Sequence, residues 1–154
     1  MVIEGDYVFR NPALRLAEAQ SKNANTYVYQ VDYPVHQPDY PCQNNRSPHG
    51  SELPFVFGKI NEASGAKFIG ISRDAQDTAI RERLMSELMS AWVNFAKSGN
   101  PNGGPLPEWP LFSPDIQPIM RFGMSTRPEN APNQAEYTAI AEFMKVFNLF
   151  DVLK

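Results

Sequence analysis

The longest periodic segment of the sequence, RDAQDTAIRERLMSELMSAWVNFAKSG, runs from Arg73 to Gly99 and predicts a single long helix. Two neighbouring stripes of large apolar side chains follow its helical spacing. They are Ile80, Leu84, Leu88, Trp92 and Phe95 in one, and Met85, Met89 and Val93 in the other. Lys97, Gly99 and Pro101 form a well-marked C-terminal stop. So wide an apolar face predicts a helix that packs against other elements on two sides.

The remaining elements are few. A helix is predicted over Asn11–Lys22, with Asn11 as its cap and Pro12 at its first position; in the alternative, DYVFR adds a turn led by Asp6 and Pro12 is a kink. A capping pattern at Asn133 predicts a last helix. Alternating β-branched and aromatic residues predict a strand over Thr26–Tyr33, and PIMRFG predicts a short strand over Pro118–Gly123. One long strand cannot form a sheet alone. The inventory therefore predicts an α/β chain whose sheet is incomplete, with its missing part on the N-terminal side.

Residues 100–118 carry six prolines, so no regular structure is predicted there. Pro107 and Pro110 have the P-x-x-P spacing that SH3-type domains bind. A proline-rich connection is the better interpretation, because Trp109 and Phe112 have the character of anchors onto a core.

Length and charge exclude several classes of protein. A chain of 154 residues is expected to form one domain, and a net charge of −3 without a basic cluster argues against nucleic-acid binding. No apolar run is long enough for a membrane span. Cys42 is the only cysteine, which excludes an intrachain disulfide and a thiolate metal site. No cofactor is expected, and the lack of a signal-peptide core with a single cysteine favours the cytoplasm.

The long loop of residues 34–54 contains the candidate chemistry, in SPHGSELPFVFG from Ser47 to Gly58. His49 has a side chain suited to general-base catalysis, although an exposed loop histidine is the commoner outcome for such a spacing. Cys42 with His49 would make a nucleophile–base pair, but nothing supplies a third, orienting group. A metal site is rejected because no spacing matches a known ligand pattern; its conceivable ligands are His36, Asp39, His49 and Glu52. No G-x-S-x-G serine elbow is present.

Four stretches together resemble the C-terminal portion of type-B carboxylesterases, a family of the α/β-hydrolase superfamily that includes the cholinesterases. DYVFRNPALRLAEAQ is similar to the helix before the last central strand, and NTYVYQVDY to that strand. SPHGSELPFVFG resembles the loop of the catalytic histidine, and MSAWVNFAKSGNPNGGPLPEWP resembles the helix and loop downstream. The resemblance runs from about Asp6 to Phe122.

The resemblance implies ester hydrolysis by a serine, histidine and acid triad in which His49 is the histidine. Gly50, Ser51 and Leu53 would line the substrate pocket, and Glu52 would be a buried carboxylate that supports the loop. The serine and the acid would lie upstream of Met1, so residues 1–154 would be the C-terminal segment of one catalytic domain.

The implied partners are a small-molecule ester and the N-terminal part of the same enzyme, or a second copy bound through the exposed strand edge. As an isolated chain the protein is then expected to be inactive. The alternative function is a non-catalytic interaction module that retains the hydrolase framework.

Overall fold

The computed structural model describes residues 5–35 and 47–146, and within these ranges it contains six helical segments and three strands. In chain order they are α1 (Asp6–Arg10), α2 (Asn11–Ser21), β1 (Tyr29–Val31), α3 (Leu53–Val56), α4 (Ala63–Ile69), α5 (Ala75–Ser98), β2 (Pro118–Phe122), β3 (Arg127–Asn130) and α6 (Gln134–Val146). In this part of the chain no helix has the length and apolar content needed to cross a membrane.

The sheet is small, and its strands are ordered β1-β2-β3. β1 runs parallel to β2, with Tyr29 opposite Met120 and Val31 opposite Phe122. The prediction of a strand over Thr26–Tyr33 was too long, because only Tyr29–Val31 is regular strand, extended by the Asp32 N–H that donates to the Phe122 carbonyl at 2.6 Å. A segment forms regular β-strand only where it hydrogen-bonds to a neighbouring strand, and β2 pairs with only a short part of the predicted segment. The fold is α/β with a partial sheet.

The described residues divide into two compact units. The first contains the residues up to Val28, Leu111–Ile119 and the residues from Glu129 onwards. Its core packs α2 against the end of the proline-rich segment; the buried members are Leu14, Ala17, Phe112 and Ile119. The prediction that Phe112 anchors this segment to a core is confirmed.

The start of α2 differs from its prediction. The π-helical α1 runs directly into α2, so Asn11 has helical backbone angles and does not act as a cap. Its side chain is fully buried, and Nδ2 donates to the Asp6 carbonyl at 3.3 Å. The predicted extra turn led by Asp6 is therefore present, and Pro12 lies inside a continuous helical segment.

The second unit contains Tyr29–Pro110 and Met120–Pro128, and α5 is its longest element. Asp74 caps α5 by accepting the Asp77 N–H at 2.8 Å, and Gly99 ends it in the left-handed conformation with φ of 71°. Leu84 and Leu88 are fully buried. The predicted bounds of this helix are confirmed, but packing on both sides is not, because Trp92, Val93 and Phe95 are about half exposed.

Aromatic rings fill the space beside β1 in the second unit. Tyr29 makes edge-to-face contacts with Trp109 and Phe122, each with ring centroids 5.9 Å apart. Trp109 is itself held by Asn102, whose Oδ1 accepts the Trp109 N–H at 2.7 Å. These contacts confirm the interpretation of Trp109 as an anchor. Residues 101–117 contain no regular structure, in agreement with the prediction for this segment.

Candidate active site: the His49 turn

His49 lies on a tight turn that belongs to the second unit. The Ser51 N–H donates to the Pro48 carbonyl at 3.1 Å, and the hydroxyls of Ser47 and Ser51 hydrogen-bond across the turn at 2.7 Å. Gly50 has φ of 83°, a conformation that side chains with a Cβ rarely adopt. The imidazole is exposed, whereas Gly50 and Ser51 are buried. The turn therefore has a fixed backbone that presents His49 outward.

Helix α3 begins directly after this turn. The Leu53 N–H donates to the Gly50 carbonyl at 3.2 Å, and the Glu52 carbonyl accepts the N–H groups of Phe55 and Val56 at 3.0 Å. Phe55 is fully buried and anchors the helix to the core of the unit. The apolar run PFVFG, to which the sequence assigned no element, thus forms one helical turn whose position sets that of His49.

Helix α4 covers the turn from another side. A Cβ on Gly65 of α4 would stand 1.9 Å from the Lys59 carbonyl oxygen, so only glycine allows this close approach. The ring of Phe68 lies 3.4 Å from the place that a Cβ on Gly50 would occupy. Because Phe68 and Leu53 are both about two-fifths exposed, they form an apolar rim beside the His49 turn.

The substrate-pocket residues implied by the resemblance have different environments. Leu53 is 39% exposed and is available to a ligand. The Ser51 side chain is buried with its hydroxyl bonded to Ser47, and Gly50 contributes backbone only. Their binding role stays a prediction.

Glu52 is half-buried, so the expectation of a buried carboxylate was too strong. Burial raises the pKa of the Tyr29 hydroxyl, and the Glu52 charge raises that pKa further, while a hydrogen bond with Trp92 lowers it.

A buried polar network lies behind the turn. Arg81 on α5 is 2% exposed, and its Nε donates to the Tyr33 hydroxyl at 2.8 Å. The Tyr33 hydroxyl in turn donates to Asp77, and the same Arg81 Nε lies 3.2 Å from the other Asp77 oxygen. The remaining nitrogens of Arg81 donate to backbone carbonyls at the end of α4. This network was not predicted from the sequence, although Asp77 and Arg81 have the i, i+4 spacing of a helical ion pair.

The titration behaviour of the network follows from its burial. Burial raises the pKa of Asp77, but hydrogen bonds from Tyr33 and the Arg73 N–H, together with the Arg81 charge, outweigh it, so the pKa lies below its usual value. Burial, together with the hydrogen bond to Asp77, raises the pKa of Tyr33 to about 12. Both shifts favour a neutral tyrosine and an ionised aspartate, which is the state that pairs with Arg81.

Three of the other candidate groups, Cys42, His36 and Asp39, lie outside the residues that the structure describes. Residues 5–35 and 47–146 contain no group of three or more histidine, cysteine or acidic side chains that could hold a metal ion. Neither a nucleophile nor an acid next to His49 was predicted from this sequence.

Comparison with solved structures defines the class of protein. A thermophilic PNB esterase superposes with a TM-score of 0.71 at 27% identity, over 88% of this chain and 26% of that one. A Geobacillus stearothermophilus carboxylesterase superposes with a TM-score of 0.67 at 30% identity, again over 88% and 26%. The neighbours of this fold are α/β-hydrolase esterases.

The family follows from the sequence comparisons. The model of the carboxylesterase family matches residues 2–140. The chain is 39% identical to human cocaine esterase over 117 residues, which are 73% of this chain and 19% of the relative. It is 32% identical to the para-nitrobenzyl esterase of Bacillus subtilis over 129 residues, 82% of this chain and 24% of that enzyme. The chain belongs to the carboxylesterase family, as the resemblance indicated, and spans about a fifth to a quarter of the length of these relatives.

Proposed function

We propose that this chain acts in carboxylic-ester hydrolysis and that His49 is the general base. One observation carries the proposal: in a chain of the carboxylesterase family, His49 is exposed on a hydrogen-bonded turn whose next two residues, Gly50 and Ser51, are buried. A catalytic base must be open to substrate and yet held in place. An ordinary surface histidine does not need to be held in place.

In this mechanism His49 carries a proton in both directions. A serine hydroxyl attacks the ester carbonyl while the His49 Nε2 accepts its proton. His49 then donates that proton to the departing alkoxide, which leaves an acyl-serine. Water then attacks the acyl-serine while His49 takes its proton, and His49 returns that proton to the serine oxygen as the carboxylic acid is released. The serine and the acid that orients the other ring nitrogen come from residues beyond those of this chain.

The residues after His49 have supporting roles in this proposal. Gly50, Ser51 and Leu53 border the substrate pocket, with Leu53 as the exposed apolar contact and the Ser47–Ser51 hydrogen bond holding the turn. Glu52 supports the loop from its half-buried position. It does not serve as the triad acid.

The isolated chain is expected to lack esterase turnover, because the members of a triad act as a unit. Hydrolysis of a p-nitrophenyl ester by the purified chain would be compared with that by the His49→Ala variant and by free imidazole. Equal rates are expected. A rate far above both references would show that the chain contains a nucleophile of its own.

The catalytic role itself is tested by complementation. The chain would be co-expressed with the part of the Bacillus subtilis para-nitrobenzyl esterase that precedes its matching region, and para-nitrobenzyl ester hydrolysis measured. Activity is expected with the natural sequence and with His36→Gln, and is expected to disappear with His49→Gln. Equal activity of the two variants would refute the assignment of His49. A complex that forms but stays inactive would favour the non-catalytic interaction module.

The exposed face of α5 supplies a second element of the proposal. Met89, Trp92, Val93 and Phe95 are between 38% and 50% exposed, which is unusual for so many large apolar side chains on one helix. We propose that the rest of the same catalytic domain covers this face, since the related enzymes are four to five times longer than the matched region. β1 ends the sheet order on one side in the described part of the chain and offers that domain a free strand edge.

Light scattering tests the exposed face directly. The chain alone is expected to self-associate, and the companion segment is expected to replace that self-association with a one-to-one complex. A compact monomer that is stable on dilution and does not bind the companion would contradict the proposal.

A further inference from the structure

The Arg81 side chain hydrogen-bonds to residues outside its own helix. Besides Tyr33 and Asp77, its guanidinium donates to three consecutive backbone carbonyls, those of Ile69 at 3.1 Å, Gly70 at 2.7 Å and Ile71 at 3.3 Å. These carbonyls belong to the C-terminal end of α4, where helices leave carbonyl groups without partners. The Arg81 side chain therefore ties α5 to the backbone at the C-terminal end of α4.

We propose that Arg81 is a positioning residue for His49, acting together with Tyr33 and Asp77. This inference rests on the proposed function, in which His49 must reach a serine and a substrate with little freedom of movement. General-base catalysis contributes about 10²–10⁴-fold to rate only when the base lies within hydrogen-bond reach of the proton it takes. The geometry connects Arg81 to the His49 turn along two routes.

The first route runs through α4. This helix has seven residues, which is too short to be stable without tertiary contacts. Arg81 hydrogen-bonds to the carbonyl of Ile69, the last residue of α4. Phe68, the residue before it, packs against Gly50 beside Leu53. A movement of the end of α4 would therefore move the Phe68 ring, which packs against Gly50, the residue after His49.

The second route runs through α3. The Tyr33 ring packs edge-to-face on Phe55, with centroids 5.5 Å apart, and both residues are fully buried. The hydroxyl of Tyr33 is fixed by Arg81 and Asp77. Because α3 begins four residues after His49, the orientation of the Tyr33 ring limits where the turn can lie.

The chemistry of the network requires an arginine. The guanidinium has five donors in a planar fork, and here they reach one hydroxyl, one carboxylate and three carbonyls. Lysine would keep the positive charge beside Asp77 but could not reach all of these acceptors. Arg81→Lys therefore separates the positioning effect from the loss of a buried charge.

Arg83, two residues further along α5, is a matched control. It also binds backbone carbonyls, those of Gly123 at 2.7 Å and Met124 at 3.3 Å, and it pairs with Glu87 at 2.8 Å. Its partners lie on α5 itself and on the segment after β2, and not on α3 or α4. Arg83→Lys should thus weaken a similar set of hydrogen bonds without touching either route to His49.

The test is the NMR signal of His49 in the full 154-residue chain labelled with [¹³Cε1]-histidine. The sequence contains two histidines, so His36→Gln assigns the two signals. Arg81→Lys and Tyr33→Phe are expected to shift or broaden the His49 signal, whereas Arg83→Lys is expected to leave it in place. Circular dichroism establishes that each variant is folded before its spectrum is compared.

Two outcomes would overturn the inference: an unmoved His49 signal in both folded network variants, or a shift of equal size in Arg83→Lys. If Arg81→Lys does not fold, Tyr33→Phe still decides the question, because it keeps the ring on Phe55 and removes only the hydroxyl. The readout does not depend on turnover. Failure of the complementation assay with a clear Arg81 effect on the signal would reject the catalytic role and retain the structural link.

Discussion

The two halves of α5 contradict the simple expectation that polar side chains face water and apolar ones the core. In the first half, Asp77 and Arg81 are 4% and 2% exposed. In the second half, Trp92 and Phe95 are 50% and 47% exposed. The first half packs against α3, the α4 end and Tyr33, which supply hydrogen-bond partners for buried charge, whereas part of the second half lacks a covering element among the described residues.

The difference shows that burial depends on which elements are available and not on residue type alone. Buried charged groups are tolerated where every donor has an acceptor, as around Arg81. Exposed apolar groups are tolerated only at a cost in solubility or where a further surface covers them. The first half of α5 is therefore a finished interior, whereas the second half leaves an apolar face that we propose to be an interface.

The largest expected effect comes from breaking the buried pair in the first half. Asp77→Ala leaves Arg81 buried without its carboxylate and removes an acceptor from Tyr33. Removing one partner of a buried ion pair typically costs about 3–5 kcal/mol. Urea unfolding followed by circular dichroism would measure the loss, with Glu82→Ala, an exposed change on the same helix, as control. A loss no greater than that of the control would show that the network is not a finished interior.

Leu84→Ala tests the apolar part of the same half. Leu84 is fully buried, so the variant creates a cavity, and such changes cost about 2–5 kcal/mol. Val93→Ala in the second half should change the free energy of unfolding much less, because Val93 is half exposed. Similar losses in the two variants, measured at one chain concentration, would erase the distinction between the halves.

Alkaline pH should weaken the network around Tyr33. The pKa of this hydroxyl is raised from 10.0 to about 12, so the folded state holds the proton more tightly than the unfolded state. The resulting stability is complete below pH 10.0 and is lost as pH rises towards about 12. Unfolding free energies of the natural chain and Tyr33→Phe should therefore converge over this interval, and a constant difference would contradict the shift.

The smallest expected effect on stability is that of Val93→Ser. A half-exposed helix position contributes little, so the free energy of unfolding should change by less than about 0.5 kcal/mol. Self-association, measured by light scattering over a dilution series, should decrease, because the substitution makes the proposed interface more polar. Unchanged association together with unchanged stability would show that this face is not the contact surface.

Local sequence signals predicted the longest helix well. The stop at Gly99 and the periodicity before it are contained within one segment, and α5 follows them closely. The family could also be recognised, because the histidine loop and the segment from Trp92 to Pro110 are contiguous motifs. His49 and its neighbours also follow one another in the chain, so the sequence could propose them as a site, and their catalytic and binding roles stay predictions.

Tertiary contacts decided the rest. The strand shortened to Tyr29–Val31 because its length depends on what pairs with it. α3 and α4 escaped prediction because each is shorter than the span over which periodicity can be detected, and the packing around Phe55 and Gly65 stabilises them. The buried network joins Tyr33 to Asp77 and Arg81, which lie 44 and 48 positions further along the chain.

The sequence by itself thus determined the local elements and the family, since helix periodicity, caps and motifs act over a few neighbouring residues. Only the tertiary structure decided which face of α5 is interior and how the His49 turn is held. Those properties depend on contacts between distant segments, and no single stretch of the chain contains them.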